Sequence, residues 1–290
     1  MTAQGSSALE ARDGHRFELL HHVPLAARAR LLWLPALGVA ARHYLPLAQT
    51  LAAQGVAVYL HEWRGNGSSS LRASRAQDWG YRELLQEDLP ASQQLMELHD
   101  RRDGPLPWVI GGHSLGGQLA CLQAGRLPDR FRHLWLVASG TPFWRSFPAP
   151  RAWLLPLAYR FLLWLARRNG ALPGRRLGFG GTEARSLISD WSRVGLCNRY
   201  AAAGMEEDLE AQLRGVQAQA CAVLMADDWL APPGSMRALL AKLPQVHATC
   251  SVLDAATLGT RADHFRWMKA PQAVCAQLMR SLQPWPSQKR

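Results

Sequence analysis

Trp108-Val109-Ile110-Gly111-Gly112-His113-Ser114-Leu115-Gly116-Gly117 is the stretch on which the reading of the fold turns. Trp108 to Ile110 reads as a short buried strand, and Leu115 to about Leu127 reads as a helix. Between them, Gly112-x-Ser114-x-Gly116 makes a turn so sharp that a Cβ at either glycine would collide with the neighbouring strand or helix. Such an elbow lifts a serine hydroxyl above the end of a sheet, at the positive end of a helix dipole. The bland reading is a Gly/Ser turn capping a helix. The apolar strand before it and Leu119-Ala120-Cys121-Leu122 after it favour a nucleophile. A serine hydroxyl needs an imidazole to take its proton, and the imidazole needs a carboxylate to fix its tautomer.

Outward from the elbow, apolar strands alternate with helices. Strands are expected at Arg16–His21, Arg30–Pro35, Val56–His61, Arg132–Ala138, Ala220–Met225 and His247–Leu253. Helices are expected at about Arg42–Gln54, at Tyr81–His99 with a kink or break at Pro90, and at Pro233–Leu243. A terminal helix opens at Asp263–Trp267 and frays from Ser281. Met1 to Ser7 reads as a loose polar lead, and His21-His22 as surface strand residues. The alternation predicts an α/β fold, a mostly parallel central sheet with helices on both faces.

At 290 residues and 48% hydrophobic, the chain can bury the core of one large domain with an insertion. Its formal charge of +11 is almost wholly arginine, the lysines being Lys242, Lys269 and Lys289 alone. No basic run is interleaved with stacking aromatics, so no nucleic-acid partner is expected. Five scattered cysteines show neither metal-ligand spacing nor a disulfide framework, so no metal is expected. Glu10, Arg12, Asp13 and Arg16 interrupt the start of the chain, which argues against a signal peptide and for the cytoplasm.

The pattern changes from Thr141 to about Met205. Ala152 to Leu165 is strongly apolar but falls short of the ~17–25 residues of a membrane span, and it contains Pro156 and Arg160. The favoured reading is a mainly helical cap, residues 141–205, inserted into a core of residues 1–140 and 206–290. Its apolar face is expected to cover a substrate pocket, with Asn169 to Gly181 as a surface loop. Peripheral membrane contact through the same helix is the second reading.

Arg64-Gly65-Asn66-Gly67-Ser68-Ser69 follows the Val56–His61 strand and precedes the elbow. This Arg-Gly-x-Gly-x-Ser segment, followed by Gly-x-Ser-x-Gly, resembles the serine-nucleophile branch of the α/β-hydrolase superfamily. Arg72-Ala73-Ser74 and Gly80-Tyr81-Arg82-Glu83-Leu84 narrow the likeness to little-characterised bacterial members of that superfamily. The resemblance implies that the Arg-Gly-x-Gly loop is structural, shaping the mouth of the site. It also implies a cap, and an oxyanion-hole amide in the loop after the Arg30–Pro35 strand. Pro35-Ala36 stands where many relatives carry His-Gly, which leaves the choice between Ala36 and Leu37 open, with Leu37 preferred. The second amide is that of Leu115.

The superfamily order is serine, acid, histidine. Ser114, Asp228 and His264 occur in that order, each after an expected strand, with Asp227 as the reserve acid. Relatives carry the acid a few residues before a proline, as Asp228 stands before Pro232, and often His-Phe, as at His264-Phe265. Asp263 replaces the usual glycine and brings either an altered loop or a competing carboxylate. The implied chemistry is acyl transfer to water through an acyl-serine, on a small hydrophobic ester-type substrate and without a cofactor. An acyltransferase would use the same residues. A binding protein of this fold, without catalysis, is the non-enzyme reading.

Overall fold

Continuous apolar runs make strands buried on both faces, and the described residues, 2–282 of the computed structural model, form them. In chain order the strands are β1 (Thr2–Glu10), β2 (Arg16–Pro24), β3 (Ala29–Leu34), β4 (Val56–Leu60) and β5 (Trp108–His113). They continue with β6 (Phe131–Val137), β7 (Ala171–Pro173), β8 (Thr182–Ala184), β9 (Gln219–Met225) and β10 (His247–Leu253). The main sheet is ordered β1-β2-β4-β3-β5-β6-β9-β10, while β7 and β8 pair apart. From β4 to β10 every neighbouring pair is parallel; β1 and β2 join antiparallel. Successive side chains leave a strand on opposite faces. Leu31 and Trp33 therefore enter one core with Val58, Trp135 and Val223, and Leu32 and Leu34 enter the other with Tyr59, Leu134 and Ala222. Because the strands are parallel, the loops after β3, β5, β6 and β9 leave from one edge of the sheet, where open α/β sheets bind ligands.

Several local expectations change. Residues Thr2–Glu10 are not a loose lead: they pair along their whole length with Arg16–Pro24. The strand propensity of this Ser/Gly/Ala-rich segment is weak, and backbone pairing with β2 supplies what its side chains do not. His22 is buried rather than on the surface, where β2 crosses onto β4. Pro90 does not break its helix. Tyr81–Glu83, a π-helical turn at Leu84–Asp88, and Leu89–Asp103 follow one another without a gap, with Leu89 N–H donating to the carbonyl of Leu84. Pro90 offers no N–H to the carbonyls one turn back. Those of Leu85 and Gln86 accept instead from Arg126 at 2.5 Å and Arg12 at 2.8 Å. The terminal helix is Gln272–Arg280, and Asp263–Trp267 does not open it, because a separate 3-10 turn, Arg266–Lys269, ends before Pro271. Of the stretch expected to fray from Ser281, residues 283–290 lie outside the described residues.

Between β6 and β9 the chain leaves the sheet. Helix Arg151–Asn169 packs on helix Arg185–Cys197, and the stretch between them is the β7–β8 ribbon and a short turn of helix rather than one loop. The helix Arg151–Asn169 does not turn its largest apolar side chains inward. Its buried residues are Ala152, Tyr159 and Ala166, seven apart, with Tyr159 donating to the carbonyl of Pro142 at 2.5 Å and edge-on to Trp191. Trp153, Leu154, Leu157, Phe161 and Trp164 are exposed, which corrects the expectation that they cover a pocket.

The Arg-Gly-x-Gly-x-Ser loop is tied down by charge. Arg64 holds Asp88 at 2.8 Å and Asp13 at 2.7 Å, joining the β1–β2 turn to the π-helical turn. Asp88→Ala leaves the buried guanidinium short of its main partner and should cost about 3–5 kcal/mol in urea unfolding. A loss below about 1 kcal/mol would mean the pair behaves as an exposed one.

Candidate active site

Ser114 stands between β5 and the helix Leu115–Arg126 with φ 55° and ψ −119°, a conformation that L residues rarely adopt. Close packing leaves it no alternative. A Cβ on Gly112 would stand 2.4 Å from the carbonyl carbon of Gly116, and one on Gly116 would stand 2.0 Å from the carbonyl oxygen of Leu34. Ser114 N–H donates to Val137 at 3.2 Å, and its carbonyl accepts the Ser139 hydroxyl at 2.7 Å. The side chain is half-buried, and its Oγ makes no hydrogen bond among the described residues.

Asp228 and His264 meet. Asp228 Oδ2 accepts from His264 Nδ1 at 2.7 Å, so in the neutral form of this imidazole Nε2 carries the lone pair. Asp228 Oδ1 accepts the amides of Leu230 at 2.8 Å and Ala231 at 3.1 Å, so both carboxylate oxygens are engaged. Asp227, the reserve acid, is exposed, and its backbone N–H donates to Ala262 at 2.9 Å, tying down the loop that carries His264. Asp263 does not compete for the imidazole. Its Oδ1 accepts the amides of Phe265 at 3.0 Å and Arg266 at 2.9 Å, capping the following turn.

Tyr44 is the residue that the motifs did not reveal. Its hydroxyl accepts the Ala36 amide at 2.9 Å and donates to His113 Nδ1 at 2.8 Å. Burial holds the His113 imidazole well below its usual pKa, and the neutral ring lies against that of His264, centroids 4.7 Å apart. Trp267 completes the wall, packing edge-on to His113 and donating its indole N–H to the His264 carbonyl at 3.0 Å. With the Ala36 amide given to Tyr44, that of Leu37 is the amide of this pair without a hydrogen bond among the described residues. The Leu37 side chain packs against both the main core and the small cluster of Ala166, Leu172 and Ile188 in the inserted segment. Gly38, at φ 71°, touches that segment so closely that a Cβ would stand 2.1 Å from the Gly181 nitrogen.

A second Ser/His/Asp set joins Ser69 of the Arg-Gly-x-Gly-x-Ser loop to His15 and Asp88. His15 bridges Asp88 and Ser69 at 2.9 Å each. Ser69 is buried, and its Oγ accepts the amides of Gly65 at 3.1 Å and Leu71 at 3.2 Å. Its lone pairs are engaged and it sits on no elbow, so this set braces the loop.

Comparison with known proteins agrees with this architecture. The sequence profile of the family described as serine aminopeptidase, S33, matches residues 26–257, a stretch that includes Ser114 and Asp228 and stops short of His264. The chain belongs to that family of α/β-hydrolases. Among solved structures, it is similar to a hydrolase from Pseudomonas aeruginosa at TM-score 0.63 and 15% identity, covering 97% of this chain and 99% of that one. It is similar to an esterase from Pyrococcus furiosus at TM-score 0.59 and 14% identity, over 98% and 91% of the two chains. A carboxylesterase from the ammonia-oxidizing thaumarchaeon Nitrososphaera gargenis follows at TM-score 0.60 and 14% identity, over 95% and 97%. At such identities the likeness is one of fold. No curated protein matches the sequence.

Two predictions follow from the groups around Leu37. Tyr44→Phe removes a partner from both the Ala36 amide and His113, and should lower unfolding stability by about 1–3 kcal/mol. An unchanged denaturation midpoint would show that neither bond matters. The second concerns Glu183, which is buried and accepts the Gly181 amide at 2.5 Å; burial pushes its pKa up from 4.5 to about 7. Below 4.5 both folded and unfolded chains carry the proton; between 4.5 and 7 only the folded one does, so stability falls as pH rises through that window. Glu183→Gln should therefore gain on the wild type by up to roughly 3 kcal/mol between pH 4.5 and pH 8. Parallel stability–pH curves would contradict the burial account.

Proposed function

We propose that this chain is a serine hydrolase that cleaves a carboxylic ester, or a thioester or related acyl bond, through Ser114, His264 and Asp228. The observation that carries the reading is the 2.7 Å contact between His264 Nδ1 and Asp228, with the His264 ring packed on His113, the residue before an elbow serine of strained backbone. In the proposed reaction His264 Nε2 takes the Ser114 proton as Oγ bonds to the substrate carbonyl carbon. The carbonyl electron pair moves to oxygen, where the amides of Leu115 and Leu37 hold it. His264 then gives the proton to the leaving oxygen or sulfur. Water attacks the acyl-serine, its proton passing through His264 back to Ser114, and no cofactor takes part.

Residues 141–205 act in this reading as the cap over a core of residues 1–140 and 206–290. The contact of Gly38 with Gly181 and the packing of Leu37 into the inserted segment support it. The substrate is a small molecule with a hydrophobic part, a preference supported by the partly buried apolar side chains of Leu37, Leu162, Leu165 and Phe179, which pack against Ala166, Leu172 and Ile188. Five unpaired cysteines support a cytoplasmic setting, and among the described residues no helix is long and apolar enough to cross a membrane.

The kinetic test uses p-nitrophenyl esters of increasing acyl length. Asp228→Asn should lower kcat by on the order of 10⁴ while leaving the fold intact, because the imidazole loses its fixed tautomer. Asp227→Asn should stay within a few-fold of wild type. Equal effects of the two substitutions would overturn the assignment of the acid, and a preference for acetate would overturn the hydrophobic substrate.

A further inference from the structure

The outward face of helix Arg151–Asn169 has no role in the proposed chemistry. Trp153 is 70% exposed, Leu154 62%, Leu157 66%, Phe161 50% and Trp164 56%. Positions 153, 157, 161 and 164 recur at the spacing of one helix face, opposite the buried Ala152, Tyr159 and Ala166. Phe161 and Trp164 stack on each other there, ring centroids 5.9 Å apart. Scattered single apolar residues on a surface need no explanation, whereas a contiguous patch of this size marks a binding face.

Charge points to the partner. From Thr141 to Thr182 the chain contains seven arginines and no lysine, aspartate or glutamate, and all seven arginines are exposed. Arg160, Arg167 and Arg168 stand among the apolar side chains of the helix, and Arg151 lies over the exposed Trp229 ring at 5.4 Å, extending the patch toward the Asp228 loop. Tryptophan, phenylalanine and leucine on one face, with arginines beside them and no acid, are what a helix lying in a bilayer interface requires. Such arginines meet lipid phosphates while the rings enter the headgroup–acyl boundary.

We propose that this face docks on an anionic lipid bilayer, the helix lying in the plane of the surface with Trp153, Leu157, Phe161 and Trp164 inserted. The proposal is independent of the hydrolase chemistry. Its test is co-sedimentation of the full chain at low salt with vesicles of phosphatidylcholine alone and of phosphatidylcholine and phosphatidylglycerol in equal parts. Binding to the mixed vesicles, reversed by salt and weak on phosphatidylcholine alone, is expected. Replacing Trp153, Leu157, Phe161 and Trp164 together by Gln should lower the partition by on the order of tenfold or more. Arg160→Gln, Arg167→Gln and Arg168→Gln should lower it about fivefold each on anionic vesicles. A circular-dichroism melt checks that the variants fold. In the wild type, lipids brominated along the acyl chain should quench part of the tryptophan emission. Failure of the wild type to bind, or full binding by the apolar variant, overturns the proposal. So does a wild-type dimer that ignores vesicles and dissociates in that variant, which would assign the face to a second copy.

Discussion

The backbone of Ser114 is bent into a conformation that costs roughly 1–3 kcal/mol, and the surroundings leave the chain no other path. Strand β5 lies between β3 and β6, so its end cannot shift without breaking two parallel ladders. The Leu34 carbonyl presses against Gly116, and the Ser139 hydroxyl holds the Ser114 carbonyl. The strain is thus met by the sheet and by the helix that follows, and the hydroxyl is carried by the most buried part of the fold. The loops after β3 and β9 take their places relative to this one residue.

Neutral groups do most of the positioning around it. Tyr44 joins the loop after β3 to the residue before the serine, and His113, kept neutral by burial, forms a flat wall for His264. Trp267 closes the far side. The Arg64–Asp88 ion pair, with His15 hydrogen-bonded to the same carboxylate, sits elsewhere and fastens the Arg-Gly-x-Gly-x-Ser loop. Both places hold a serine, a histidine and an aspartate, hydrogen-bonded throughout at Ser69, His15 and Asp88 and between histidine and acid alone at His264 and Asp228. What separates them is whether the serine oxygen is filled with backbone donors, as at Ser69, or left without one, as at Ser114.

The strands whose side chains fill two cores were legible, because a run such as Leu31-Leu32-Trp33-Leu34 has no other stable use. Of the two candidate acids, Asp228, preferred for the proline that follows it, is the one hydrogen-bonded to His264. The choice between Ala36 and Leu37 was not legible, because it is made by a tyrosine hydroxyl reaching back from the next helix. Strand β1 was hidden by a composition that pairs only because β2 is there to meet it. The direction of helix Arg151–Asn169 was hidden for a different reason. With apolar residues almost all round, hydrophobicity does not say which side is inside, and the inward face turns out to be Ala152, Tyr159 and Ala166.

The central claim is that Ser114 alone among the serines is nucleophilic. Its most direct measurement is reaction of the folded chain with a fluorophosphonate, followed by peptide mapping in a mass spectrometer. One adduct per chain, on the peptide bearing Ser114 and absent from Ser114→Ala, is the predicted result. An adduct on Ser69, or no adduct with several such probes on folded protein, would contradict it.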